Sequence, residues 1–376
     1  MIDVGGTPAL AQAAPQARSG ARIAPGTLLD SQPLPNAPEG AAAYRVLYRS
    51  TGLRGEPIAV SGAIIVPAGP VPPGGRPIVA WAHPTTGVVD KCAPSLARVL
   101  DRSIQGLREM LARGYIVAAT DYPGLGTPGV HPYLVGISEG RAVLDSVRVA
   151  RQLAGPGGAA NAFAVWGHSQ GGHAALFTGL LAHGYAPDLT LVGVAAAAPA
   201  TELATLMMAD LDTSGGKNLT AMTLWSWSRV YGAPITKVVT PQALPVIDEL
   251  ANECIETIVD VLERRGPSRA LDRSFLAVDN LADREPWRSL LARNTPGTLP
   301  PRIPVFLAQG STDNLVLPRV TQDYRARLCR AGSRVAFDLV PGVGHLSIAR
   351  DAAPAAIDWI GDRFAGEPAP SNCGAE

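Results

Sequence analysis

Lysine is nearly missing from this 376-residue chain: Lys91, Lys217 and Lys237 are its only three, and the other 29 basic residues are Arg. Together with 40 Gly and 34 Pro, this points to high-GC bacterial coding rather than to a function. The 32 basic residues balance 32 acidic ones, and no long basic stretch occurs, which excludes a nucleic-acid partner. No apolar run reaches the roughly 18 residues that a membrane-spanning helix needs. The first 40 residues lack a basic start followed by a hydrophobic segment, so no signal peptide is expected there. Their Ala/Pro/Gly-rich composition is that of the mature end of a secreted protein whose signal has been removed. Cysteine is scarce too. The four (Cys92, Cys254, Cys329, Cys373) are far apart, with no C-x-x-C and no His at ligand spacing, so neither a metal nor an organic cofactor is expected. Widely spaced cysteines in such a chain fit two disulfides and an oxidising, extracellular location.

Apolar residues make up 47% of the chain, enough for a large core. Alternating runs at 44–48 and 58–66, split by a Gly/Pro turn, predict a hairpin. The nearly continuous apolar run 77–82 predicts a strand buried on both faces. From there a helix is expected over 95–113, a strand at 115–120, a helix at 138–153, a strand at 162–166, a helix at 171–182 and a strand at 189–197. This alternation predicts a mostly parallel sheet flanked by helices. It stops near residue 200. Helical patterns at 202–211, 245–263 and 274–280 follow, and strands and helices resume at 303–308, 316–331, 335–340 and 353–364. The expected organisation is an extended segment 1–40, a core of 41–200 and 302–376, and a mainly helical cap 201–301 over the C-terminal edge of the sheet.

Gly167-His168-Ser169-Gln170-Gly171 matches G-x-S-x-G. Chance alone supplies roughly 0.2 such matches in a chain of this composition, so context has to carry the motif. It follows a predicted strand and opens a predicted helix, the strand-turn-helix of a nucleophile elbow. A serine hydroxyl needs a neighbouring base, and the base an orienting carboxylate. Of six His, only His345 lies beyond the cap, in a Gly-rich loop after the last strand. Asp313 is the only carboxylate on the loop after strand 303–308. Ser169, Asp313 and His345 thus come from three strand ends in the order Ser–Asp–His. The backbone N–H of Gln170 is the first expected oxyanion donor, and Thr85 or Thr86, on the loop after strand 77–82, supplies the second. His83, in that same loop, reads as a structural residue bonded to its own turn. Gly124-Leu125-Gly126-Thr127-Pro128-Gly129 fits G-x-G-x-x-G, but the prolines and the missing helix start make it a loop walling the site rather than a nucleotide cradle.

Three segments extend the motif: 167–173, the Thr120-Asp121-Tyr122-Pro123-Gly124-Leu125-Gly126 run, and Asp90-Lys91-Cys92-Ala93-Pro94-Ser95. Together they resemble the secretory lipase family, which includes the fungal lipase A type and bacterial relatives. The resemblance runs from about Tyr44 to the end. It implies an α/β-hydrolase fold with a lid between the nucleophile and acid strands, and action on carboxylic esters, acylglycerols included. It carries the triad to Ser169, Asp313 and His345. It also implies a disulfide between Cys92 and Cys254, which leaves Cys329 with Cys373. Where the lipase A type has an acidic residue in the oxyanion loop, this chain has Thr85 and Thr86, with Asp90 further on.

The expected activity is that of a secreted serine esterase or lipase on a small-molecule ester or lipid, working at a lipid–water interface without spanning a membrane. A peptidase or acyltransferase on the same fold and a non-catalytic binding protein are the alternatives. Tyr122, Met207, Met208 and Trp225 are candidates for an apolar substrate pocket; the cap methionines and Trp225 would serve equally as the cap's own core.

Overall fold

The computed structural model describes residues 23–97, 100–209, 211, 213–255 and 265–374. Residues 1–22 of the predicted N-terminal segment, and 256–263 of the predicted helix 245–263, lie outside the described residues. Nine strands form one sheet: β1 Leu28–Pro33, β2 Ala41–Thr51, β3 Pro57–Pro67, β4 Arg76–Ala82, β5 Ile116–Thr120, β6 Ala159–His168, β7 Thr190–Ala197, β8 Val305–Gly310 and β9 Val335–Val340. Their order is β1-β2-β3-β5-β4-β6-β7-β8-β9. The first three strands join antiparallel, and everything from β5 to β9 pairs in parallel.

The central parallel strands are buried on both faces over their C-terminal halves, edge strand β9 only partly, and the buried side chains divide between two cores by simple alternation. Ile78 and Ala80 enter one core while Val79 and Trp81 enter the other; Phe163 and Val165 oppose Ala164 and Trp166 in the same way. Helices cover both faces: α1 Leu100–Ser103, α2 Leu107–Ala112, α3 Gly136–Ala154, α4 Gln170–Tyr185, and, after β8 and β9, α10 Pro318–Arg330 and α11 Ile348–Phe364. Between β7 and β8 run α5 Leu203–Ala209, α6 Ser214–Val230, α7 Ala243–Ala251, α8 Arg265–Arg273 and α9 Trp287–Asn294. The sulfurs join Cys92 to Cys254 and Cys329 to Cys373. The first bridge ties the loop after β4 to the chain just past α7. The second ties α10 to the C-terminal tail.

Several local expectations change. The helix expected over 95–113 is broken into 3-10 turns and the short α1 and α2. Gly106 takes a left-handed φ of 79° between them, and the carbonyls freed by the break receive the buried indoles: Trp81 donates to Ser103 and Trp166 to Gln105. Segment 274–280 is irregular rather than helical, a run of bends with Leu276 bridged to Val239. Helices α6, α8 and α9 stand where no helical pattern was read, and β1 adds an edge strand from within residues 1–40. No described helix is long and apolar enough to cross a membrane.

Candidate active site

Strand β6 runs straight into α4 through Ser169, the one residue between them, whose φ of 56° and ψ of −117° are strained for a side-chain-bearing residue. The flanking glycines make this turn possible. A Cβ on Gly171 would run into the Ala82 carbonyl, and one on Gly167 into the carbonyl of Gly171. The backbone N–H of Ser169 donates to Ala197 of β7 at 2.9 Å, pinning the turn to the neighbouring strand end.

His345 approaches from the loop after β9, with its Nε2 2.8 Å from Ser169 Oγ and its Nδ1 2.8 Å from Asp313 Oδ2. A carboxylate can only accept, so the ring carries hydrogen on Nδ1 and offers the Nε2 lone pair to the serine hydroxyl. Asp313, on the loop after β8, is held by four donors: His345 and Gln309 Nε2 (3.1 Å) on Oδ2, and the amides of Leu315 and Val316 (both 2.9 Å) on Oδ1. Burial by itself would raise its pKa; the hydrogen bond and charge of His345, with the two amides, outweigh that and hold the carboxyl below its ordinary value. All three side chains are buried. His168, inside the elbow, bonds through Nε2 to the His345 carbonyl at 3.0 Å. Burial and the neighbouring His345 push its pKa down to about 3, so it stays a neutral donor beside the triad.

The cavity at Ser169 holds about 30 Å³, room for roughly two waters. It is lined by Ser169, Gln170, Tyr133, Met207, Leu219 and Leu315, among others, so α5 and α6 close directly over Ser169. Of the predicted pocket residues only Met207 lines it. Tyr122 is wholly buried, stacked on His131 and tilted against His83, and donates to the His83 carbonyl. Trp225 instead donates to Asp248 beneath the Arg229 guanidinium, and Met208 lies outside the lining. Tyr122 and Trp225 are large side chains that found other partners. Gln170 opens α4 next to Ser169. The Thr85 hydroxyl bonds Tyr133 Oη at 2.8 Å and so meets the cavity wall, whereas the Thr86 hydroxyl is buried without a partner. The Thr86 carbonyl accepts from Ile255, one residue past the disulfide-bonded Cys254. His83 bonds within its own loop, to the Pro84 carbonyl, and across to that of Asp121. The 124–129 loop leads into no helix before Gly136. Among the described residues no His/Cys/Asp/Glu cluster could hold a metal. Sequence reasoning missed the parts played by His168, Gln309 and Tyr133. Only His168 carried a signal, as the residue preceding the nucleophile.

The model of the secretory lipase family matches residues 100–372, which include Ser169, Asp313 and His345. The chain belongs to that family. Membership makes it a secreted hydrolase of the lipase and esterase type, and the two disulfides agree with an extracellular location. Among curated relatives it is similar to a probable inactive lipase of Mycobacterium tuberculosis, 26% identical over 92% of this chain and 79% of that one. It is also similar to lipase 5 of Candida albicans, 28% identical over 88% and 73% respectively. Candida antarctica lipase A in its closed state shares the fold with a TM-score of 0.77, at 20% identity over 94% of this chain and 85% of that one. The rice cell wall degrading esterase LipA of Xanthomonas oryzae superposes with a TM-score of 0.72, at 22% identity over 89% and 96%.

Proposed function

We propose that this protein hydrolyses hydrophobic carboxylic esters, acylglycerols included, through an acyl-enzyme on Ser169. The observation that carries the reading is the unbroken hydrogen-bonded line Ser169–His345–Asp313, with 2.8 Å at each step. Ser169 Oγ attacks the ester carbonyl carbon while His345 Nε2 takes its proton. The oxyanion forms against the backbone N–H of Gln170 at the start of α4, with the second donor from the Thr85–Thr86 pair. His345 then returns the proton to the leaving alkoxide, and acyl-Ser169 remains. Water attacks that acyl group with His345 again as base, releasing the acid and restoring the serine. Asp313 stays ionised throughout, holding the ring and stabilising its cationic form.

The water-sized cavity requires the helices α5 to α9, acting as a lid, to shift before an acyl chain enters. Leu203, Leu206, Met207 and Leu219 then offer the acyl chain an apolar wall, which favours medium-chain esters. The Arg-over-Lys bias supports a bacterial source.

The inactive relative favours a second reading, a folded protein that binds without catalysing. Labelling with a fluorophosphonate, followed by peptide mass spectrometry and turnover of p-nitrophenyl butyrate, separates the two. The hydrolase reading expects label on Ser169, none in Ser169→Ala, and a rate lost by roughly 10⁶-fold in that variant. A folded, disulfide-intact protein that neither labels nor turns over the ester would overturn the hydrolase reading for this closed form and reopen the binding one.

A further inference from the structure

Behind Ser169 lies a group of buried polar side chains that the acyl-transfer steps do not use. Glu139, wholly buried on α3, accepts from the backbone N–H of Leu134 (3.0 Å) and from Gln170 Nε2 (2.8 Å) at Oε1, while Oε2 lies 2.8 Å from His173 Nδ1. The other amide hydrogen of Gln170 goes to His131 Nε2 at 2.8 Å, and His131 Nδ1 donates to the Pro123 carbonyl at 2.9 Å. His173 Nε2 faces the Asn294 carbonyl, at the end of α9, at 2.7 Å. That carbonyl can only accept, so His173 Nε2 carries hydrogen, and a further proton lies between His173 Nδ1 and Glu139 Oε2. An unpaired buried carboxylate is expensive, and here one donor from the loop before α3 and two from α4 converge on one. The Gln170 amide has no alternative orientation, because a flip would set its oxygen against Glu139. Its own Oε1 is buried and unpartnered, so the two Nε2 bonds are what hold the side chain.

Gln170 is the residue whose backbone N–H meets the oxyanion in the proposed reaction. We propose that Glu139 is a positioning residue for that donor. It clamps the Gln170 side chain and, through His173, the first turn of α4, so that the Gln170 N–H keeps its angle to Ser169. The Asn294 contact makes that angle depend on α9 being docked. The inference rests on the reading of Ser169 as nucleophile with Gln170 as donor.

The test uses the full, disulfide-intact chain with Glu139→Gln and, separately, Gln170→Met, which keeps the backbone N–H but loses both side-chain bonds. Four quantities are read: completeness of fluorophosphonate labelling, kcat and KM on p-nitrophenyl butyrate, the inhibition constant of a trifluoromethyl ketone with the same acyl chain, and the thermal midpoint. The ketone adds Ser169 to its carbonyl and so presents an oxyanion. Both variants are expected to label to completion with KM within about twofold of wild type, while kcat falls about tenfold or more and the ketone weakens by the same factor. An unchanged kcat in Gln170→Met, or a lost kcat with undiminished ketone binding, would overturn the positioning role. If Glu139→Gln does not fold, Gln170→Met decides alone by the same outcomes. Failure of the wild-type chain to label would remove the nucleophile reading, and this inference with it; labelled wild type with unaffected variants would remove only the inference.

Discussion

The parallel sheet and the helices that close over it bury their residues in different ways. In β4, β5, β8 and the second half of β6 nearly every position is apolar and buried, and alternate residues feed the two cores. In α6 the buried set mixes Trp227, Met222 and Leu224 with Asn218, Thr220, Thr223 and Ser226. The Ser226 hydroxyl donates to the His131 carbonyl (2.6 Å) and accepts from the Tyr133 N–H (3.1 Å), and Trp227 donates to the Tyr133 carbonyl (2.8 Å). The sheet is thus held by area removed from water, which needs no particular partner. Helix α6 docks on the loop 131–135 through directional bonds as well as apolar contact. Such bonds net only about 1 kcal/mol each, which suits the opening proposed above.

The sharpest way to break this contrast is at the site that the two regions share. Asp313→Asn removes the carboxylate from a sheet-end loop and leaves the helices above untouched. We expect kcat on p-nitrophenyl butyrate to fall about 10⁴-fold. A fall of tenfold or less would mean that His345 is oriented mainly by its other neighbours.

Acid separates the regions by titration. His168 belongs to the elbow and His131 to the docking loop; burial lowers their folded-state values to about 3 and about 4, from 6.5. Below pH 6.5 the unfolded chain takes up protons that the folded chain refuses, so stability is full above that value and declines as pH falls toward 4. Each ring contributes a slope of at most about 1.4 kcal/mol per pH unit, several kcal/mol in all. Urea unfolding of wild type and His131→Gln compared from pH 7.5 to 4.5 should show a shallower loss in the variant, with the remaining slope set by His168, His83 and the raised Asp145. Parallel profiles for the two proteins would show that the His131 ring is not held neutral.

The disulfides sharpen the comparison next. The bridges close loops of 162 and 44 residues, for which chain entropy predicts roughly 5 and 4 kcal/mol of stabilisation. Replacing Cys92 and Cys254 by Ser should also lower kcat/KM, by roughly threefold to tenfold, because that bridge holds the segment hydrogen-bonded to Thr86. Replacing Cys329 and Cys373 should cost stability alone. Equal activities in the two double variants would separate the oxyanion loop from the closing helices. The smallest effect is expected at Met207, where Met207→Ala should shift the kcat/KM ratio of p-nitrophenyl hexanoate to butyrate upward by roughly threefold. No shift would place the acyl chain elsewhere.

These differences also explain what could be read in advance. The sheet was legible because a strand buried on both faces is an apolar run between turns, whatever lies beside it. Edge strand β1, exposed along nearly all its length, carries no such run. The positions of Ser169, Asp313 and His345 were legible because each follows a recognisable strand. Helix α6 was not, since its buried Thr and Ser residues interrupt the helical apolar spacing. Tyr122 and Trp225 looked like pocket residues by size alone, yet His83, His131 and Asp248 supply their partners from distant segments. The proton shared by Glu139 and His173 had no sequence signal at all.

By itself the sequence determined the alternation of strands and helices, the elbow at Ser169 and the chain order of the groups that meet there. Those features rest on local backbone demands and on apolar patterns that run along the chain. Tertiary structure alone decided which helices close the cavity, which large side chains line it, and which donors fill the Glu139 carboxylate. Those choices depend on polar groups tens of residues apart being desolvated together, and hydrogen-bond complementarity at that range leaves no periodic trace in a sequence.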